Sequence, residues 1–144
     1  RASQIAIRTH QREKLEALRN AVVNVAAGLD VDADQQAVFI DSFDSLTASH
    51  LVLLRFLQSP EAFATARGRR LADISMGSPL AHLEISAPEL AGRPEFVRQA
   101  TRELFARGLT DTESLGGIMS EEGTKSKRTT GRGDLFLAFV SEPG

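Results

Sequence analysis

The sequence contains no cysteine, which excludes disulfides, thiolate metal sites and thiol nucleophiles. This composition fits a reducing compartment, and we predict a cytoplasmic location. A membrane-spanning helix requires about 20 consecutive apolar residues. No apolar run in the sequence approaches that length, so we expect no membrane contact. No signal peptide is recognisable. The chain begins at Arg1 within helix-like sequence, and we therefore expect it to be a fragment of a longer protein.

Net charge is also small. The formal value of −2 provides no global attraction to nucleic acid or to anionic lipid, so any such affinity requires a local basic patch. The length of 144 residues and the apolar content of 42% are ordinary for a globular protein that buries its core without metals or crosslinks. Composition alone therefore predicts one globular domain, or one domain with an appended arm, and indicates no ligand class.

Catalytic and metal-binding patterns are missing from the sequence as well. The three histidines, His10, His50 and His82, lie on separate segments, and none is at metal-ligand spacing from another His or a carboxylate. No nucleophile elbow of the form G-x-S-x-G occurs, and no glycine loop followed by Lys. We therefore predict no enzyme activity, no metal and no cofactor, with an enzyme as the least favoured class.

Apolar residues spaced by three and four mark the N-terminal region. They predict a helix over residues 3–27 that ends at Gly28, and a second helix follows over about 33–43. In the second helix we expect Val38, Phe39, Ile40 and Phe43 to face inward. We interpret residues 1–45 as a helical arm. Its apolar face either packs on the chain's own domain or mediates self-association, with these contact residues: Leu15, Leu18, Val22 and Val25.

Further helices are predicted between residues 48 and 140. The segment 48–58 is apolar on nearly every side, which is typical of a buried central helix. Prolines start short helices at residues 60 and 79, and a longer helix covers 94–107. The segment LFLAFV at 135–140 fits a buried strand or a buried helix. We favour a helix, because Thr130-Gly131 provides a reasonable start.

The C-terminal third resembles the winged-helix superfamily, with MarR-like members nearest. The resemblance rests on ELFARGLT, a short segment after it, and RTTGRGDLFLAF, which correspond to recognition helix, wing and post-wing helix. It implies a mainly α fold with a small β-hairpin, in which residues 46–144 form a winged-helix-like domain preceded by the arm. LTASHLVLLRFL would be the first helix, residues 79–91 the second and 94–107 the third. The wing would span residues 112–128.

The chain also resembles a bacterial family of unassigned function over most of its length. The matching segments are LRNAVVN, DSLTASHLVLLRFLQSP, PELAGRPEF, ELFARGL and TTGRGDLFLAFV. This second resemblance implies no activity. The favoured interpretation is therefore a non-catalytic interaction module whose partner is a second copy of the chain or another protein.

The alternative is a transcriptional regulator that binds double-stranded DNA through helix 94–107 and a basic wing at 124–132. Cations and amides there supply donors for phosphates and base edges. The residues are Arg98, Gln99, Arg102, Lys125, Lys127, Arg128 and Arg132. The competing interpretation is a solvated loop, with helix charges offset by Glu95 and Glu103. No aromatic residue interleaves with these cations, which argues against single-strand stacking.

Overall fold

The computed structural model describes residues 2–71, 76–115, 119–120, 123 and 125–143. This part of the chain is mainly helical, as the sequence predicted. Its helices are α1 Ala2–Ala26, α2 Ala33–Ser45, α3 Ala48–Gln58, α4 Pro60–Ala66, α5 Pro79–Ser86, α6 Pro88–Ala91, α7 Pro94–Ala106 and α8 Gly131–Val140. The choice of a helix for residues 135–140 is confirmed by α8.

Local sequence signals explain where several helices begin. Asp32 precedes α2, and its carboxylate accepts a hydrogen bond from the Gln35 amide at 2.8 Å. Proline occupies the first turn of α4, α5, α6 and α7, where its missing N–H costs no helical hydrogen bond. Before α8, the Thr130 hydroxyl accepts a hydrogen bond from the Gly133 amide at 3.0 Å. These starts are encoded by single residues and are therefore predictable from sequence.

Two short strands add a small antiparallel element. β1 (Met76–Gly77) pairs with β2 (Met119–Ser120), with Met76 opposite Ser120 and Gly77 opposite Met119. A separate antiparallel bridge joins Thr110 to Thr129. Residues 116–118, 121–122 and 124 of the predicted hairpin at 112–128 lie outside the described residues. Within that segment, β2 pairs with Met76–Gly77 of β1. The hairpin therefore stays a prediction.

The chain divides into two compact units. The first comprises residues 1–51 and 135–144, and the second comprises residues 52–134. The predicted arm, residues 1–45, falls within the first unit.

Phenylalanine rings form the centre of the first unit. Phe39 is fully buried, with its ring centroid 5.2 Å from that of Phe136 and 5.5 Å from that of Phe139. Phe43 is buried as well, but Val38 and Ile40 are about half exposed, which corrects the expectation that all four α2 residues face inward. The reason is helical geometry, because residues 38 and 40 each point about 100° away from residue 39.

Leucines from several helices fill the second unit. In α3, Leu53, Leu54, Phe56 and Leu57 are fully buried, as the all-round apolar pattern predicted. In α7, one side of the helix is buried through Val97, Ala100 and Leu104. The Thr101 hydroxyl on the same helix is also buried and donates to the Val97 carbonyl at 2.7 Å. The opposite side of α7 is left facing solvent.

The segment after α7 is tied to the start of α8. The Thr130 amide donates to the Leu109 carbonyl at 3.1 Å, and the Thr130 hydroxyl donates to the Gly108 carbonyl at 2.6 Å. The Asp111 amide donates to the Arg128 carbonyl at 2.9 Å. These bonds hold residues 108–111 and 128–130 in close antiparallel contact.

Candidate functional site

The apolar stripe predicted on α1 exists and faces solvent. Leu15 is 58% exposed, Leu18 is 42% exposed and Val22 is 65% exposed, while Val25 is partly buried. Large apolar side chains exposed together on one helix face are a feature of interaction surfaces. The structure therefore leaves three of the four predicted self-association residues available for contact.

A different side of α1 is buried instead. Ala17 and Ala21 are buried, and the part-buried amides of Asn20 and Asn24 lie on the same side of the helix. The Asn24 Nδ2 atom lies 2.9 Å from the Ala138 carbonyl oxygen, 3.0 Å from that of Phe139 and 2.8 Å from that of Ser141. The Asn20 amide donates to the Val140 carbonyl at 3.3 Å. These amides satisfy carbonyls at the end of α8, which have no partner within the helix.

A groove continues the apolar stripe onto α2. It has a volume of about 530 Å³ and is lined by Leu15 and Leu18 from α1 and by Ile40 from α2, among others. Asp41 and Asp44 stand at its edge. The Lys14 ammonium donates to the Asp44 carbonyl at 2.7 Å, which fixes the two helices at this point. The groove therefore combines an apolar floor with acidic groups.

The predicted nucleic-acid contacts on α7 also face solvent. Arg98, Gln99 and Arg102 are exposed on the side of the helix opposite Val97 and Leu104. Arg98 lies 3.4 Å from Glu95, in an ion pair whose side chains are 61% and 90% exposed. Pairs of this kind contribute little, so the Arg98 guanidinium is available to an incoming anion.

The basic segment 125–132 is more engaged than its sequence suggests. Lys125 lies 3.4 Å from Glu61, and Lys127 donates to the Asp134 carboxylate. The Arg128 side chain is buried and donates to the carbonyl oxygens of Gly123 at 2.6 Å and Ser126 at 3.0 Å. Arg132 is exposed. Of the four predicted wing cations, Arg128 thus serves the local fold rather than an outside ligand.

Two ionisable groups, one in this segment and one just after it, have shifted pKa values. Burial lowers the pKa of the Arg128 guanidinium, and the nearby Asp111 charge partly opposes this effect. At Asp134, burial raises the pKa, but hydrogen bonds from Lys127, Thr129 and Gln58 outweigh it and the pKa lies below its ordinary value. The distances to Thr129 and Gln58 are 2.7 Å and 3.1 Å. Asp134 is therefore a structural carboxylate that ties α8 to its surroundings.

The described histidines lie outside any cluster of metal-ligating residues. No cluster of three or more His, Cys, Asp or Glu residues suited to a metal ion occurs in the described ranges. His50 is buried at the start of α3, where its Nδ1 atom accepts from the Thr47 amide at 3.1 Å. His82 is fully buried in α5. Both positions are typical of histidines with a structural role.

Among the described residues, no single helix has both the length and the apolar character to cross a bilayer. Among the described helices, α2 and α3 together are long and apolar enough, but the pair is bent by 117°.

No protein-family model matches the sequence, and no curated protein or solved structure is detectably similar to it.

Proposed function

We propose that the chain is a non-catalytic interaction module that self-associates through the exposed stripe of α1. The observation that carries this proposal is the exposure of Leu15, Leu18 and Val22 on a helix whose other side is buried through Ala17 and Ala21. Burying a large aliphatic side chain contributes about 1.5–3 kcal/mol. Covering the stripe therefore offers several kcal/mol toward association.

Charge complementarity favours a second copy of the chain as the partner. Arg12 and Arg19 are exposed on α1, whereas Asp34 and Asp44 are exposed on α2. In a two-fold dimer both subunits use the same surface. In the proposed dimer, α1 of one subunit therefore lies against the α1–α2 groove of the other. That arrangement brings opposite charges to the edges of an apolar centre, which is the usual composition of a stable interface.

The proposal also concerns the fold of residues 46–144. We propose a winged-helix-like arrangement for residues 46–144, with α3, α5 and α7 as its three helices. Three features support it: the helix order, the antiparallel pairing of β1 with β2, and the bridge between Thr110 and Thr129 that precedes the closing helix α8. Folds of this kind bind many different ligands, so the fold alone does not identify the ligand of this protein.

Disrupting the stripe tests the proposal. We expect Leu18→Asp combined with Val22→Asp to convert a dimer into a monomer, because two carboxylates in an apolar interface remain without partners. The measurement is molar mass by sedimentation equilibrium across a concentration series. Far-UV circular dichroism should show unchanged helix content, since both side chains are exposed in the single chain.

The matched control for this experiment is Val23→Asp. Val23 is 43% exposed on the same helix but lies away from the stripe. The control should keep the mass of the unmodified protein. Self-association through α1 is wrong if the unmodified chain is monomeric at every concentration, or if Val23→Asp dissociates it equally.

A second candidate function is binding of duplex DNA by α7. The supporting observation is the exposed row of Arg98, Gln99 and Arg102. We expect Arg98→Ala combined with Arg102→Ala to weaken duplex binding and to reduce the slope of log K against log salt by about 2, which is the effect of losing two phosphate contacts. Fluorescence anisotropy with a labelled duplex measures both quantities.

The matched control for DNA binding removes two exposed arginines from the other unit. Arg12→Ala combined with Arg19→Ala makes the same change in net charge but leaves α7 intact. Equal losses in the two double variants would mean unspecific attraction and would reject a role for α7. Absence of duplex binding at low salt would reject the candidate altogether.

A further inference from the structure

A basic pocket in the second unit brings together two clusters that are far apart in the sequence. It has a volume of about 270 Å³ and lies beside α4. Arg69 and Arg70 line it from the segment after α4, and Lys125 lines it from a segment more than fifty residues later. Glu61 and Thr65 of α4 complete its polar lining. Neither arginine makes an ion pair with a described residue, but the charge of Arg69 reaches Glu89, whose pKa is lowered by a hydrogen bond from Arg67 and also by Arg69.

The two arginines are held in place by the chain around them. Gly68 has a φ of +67°, a left-handed conformation that glycine adopts readily, and it reverses the chain at the end of α4. The Gly68 amide donates to the Thr65 carbonyl at 3.0 Å, and the Arg69 amide donates to the Ala64 carbonyl at 2.8 Å. This pair of bonds is the Schellman motif that closes a helix. Leu71 is buried immediately after the arginines, so the segment is fixed at both ends.

The third cation is held by a carboxylate. The Lys125 side chain is only 15% exposed, and its ammonium lies 3.4 Å from Glu61. Glu61 is 68% exposed, so water screens its charge more than it screens that of Lys125. Among the described residues that line the pocket, three cations and one carboxylate sum to a formal charge of plus two.

We propose that this pocket binds a phosphate group. The formal charge of the pocket balances a phosphate dianion, and guanidinium groups match the oxygens of phosphate with paired hydrogen bonds. The Thr65 hydroxyl provides a further donor. The volume exceeds that of the phosphate alone, so the ligand is a phosphorylated small molecule or the phosphate of a nucleic-acid backbone. This site is separate from the α1 stripe and does not depend on self-association.

A purely structural role for the arginines is the competing explanation. Cations near the end of a helix stabilise its dipole, and Arg69 and Arg70 follow the last turn of α4. That role accounts for the arginines but not for Lys125, which comes from a distant segment and places its charge in the same pocket. The two explanations differ in what they predict for Glu61, whose carboxylate competes with an anionic ligand for Lys125.

Pyrophosphate is the probe for the first experiment, titrated calorimetrically at low salt. We expect Arg69→Gln combined with Arg70→Gln to weaken its binding by about tenfold or more, because each charge-assisted hydrogen bond contributes substantially. The matched control, Arg98→Gln combined with Arg102→Gln, removes the same charge from the same unit. It should change the affinity by less than about twofold, because salt screens distant charges.

Glu61→Gln is the decisive variant. It removes the only carboxylate among the described residues that line the pocket, and with it the negative charge that lies 3.4 Å from the Lys125 ammonium. We expect pyrophosphate to bind about three- to tenfold more tightly, since a like charge near the site is lost. A structural role for the arginines predicts no such gain.

Competition identifies the source of the phosphate. Displacement of pyrophosphate by a short DNA duplex indicates a nucleic-acid backbone, and retention of pyrophosphate against the duplex indicates a small molecule. Either outcome supports the site if the arginine pair is required. The proposal is overturned by absence of saturable pyrophosphate binding, by equal losses in the two arginine pairs, or by a Glu61→Gln variant that binds no more tightly.

Discussion

Replacing Gly133 by Ala is expected to destabilise the protein by roughly 3 kcal/mol, although alanine is the better helix former by about 1 kcal/mol. Gly133 lies in the first turn of α8, where a Cβ atom would overlap the Leu109 carbonyl oxygen and lie 3.3 Å from the Thr129 Cβ atom. The overlap involves backbone, which cannot rotate away as a side chain can. The measurement is the free energy of unfolding from urea titration.

The surrounding hydrogen bonds prevent the helix from moving aside cheaply. The Leu109 carbonyl accepts from the Thr130 amide, and the Gly108 carbonyl accepts from the Thr130 hydroxyl. Moving α8 away from residue 109 would lengthen both bonds and would also disturb the bridge between Thr110 and Thr129. The cost of the added methyl group is therefore shared between overlap and broken hydrogen bonds.

Gly131→Ala is the matched control for this substitution. Gly131 begins the same helix, has no positive φ, and has no atom within 4 Å of the position that a Cβ would take. Its substitution should be neutral or should stabilise the protein by up to about 1 kcal/mol, because it reduces the entropy of the unfolded chain. Equal stability of the two variants would contradict the close approach at Gly133.

The helices were predictable because their signals are local. Prolines at residues 60, 79 and 94 start helices that the sequence predicted, and the Thr130-Gly131 start distinguished a helix from a strand in 135–140. The four-residue helix at Pro88 was not predicted, because it is too short to show a periodic pattern. On α7, the buried residues Val97, Ala100 and Leu104 are spaced by three and four. Each of these features depends on residues within one or two helical turns, which is the range over which sequence patterns carry information.

The side of α1 that is buried could not be predicted in this way. Periodicity identified the stripe of Leu15, Leu18 and Val22 but favours burial of the most apolar face. The structure buries Ala17 and Ala21 instead, because small side chains permit close approach and Asn24 then satisfies carbonyls more than a hundred residues away. Such a choice depends on tertiary hydrogen bonds that no local pattern contains.

Charges were the least predictable feature. A sequence shows that Lys127 and Arg128 are basic, but their partners decide whether those charges reach solvent. Arg128 is buried against backbone carbonyls, and Lys127 is paired with Asp134. Conversely, the structure places Lys125 in one pocket with Arg69 and Arg70, which lie more than fifty residues earlier in the sequence. Basic residues acquire a function only through the groups that the fold places around them.

Phe39→Ala is expected to have the largest effect on stability, a loss of about 3–5 kcal/mol. Phe39 is fully buried, and its ring contacts those of Phe136 and Phe139. Removing the ring leaves a cavity between α2 and the C-terminal half of α8 and also removes two aromatic pairs. Since a domain of this size is stable by about 5–15 kcal/mol, thermal unfolding by circular dichroism should show a large fall in Tm.

Phe105→Ala separates this cavity effect from the general loss of an aromatic residue. Phe105 is 42% exposed on α7, so the same atoms are removed from a side chain that already contacts water. The cost should stay below about 1.5 kcal/mol, because much less apolar surface returns to solvent. A Phe39→Leu variant should fall between the two, since leucine fills part of the space. If Phe39→Ala were no more damaging than Phe105→Ala, the three rings would not form the core of the first unit, and the exposure of Val38 and Ile40 on the same helix would need another explanation.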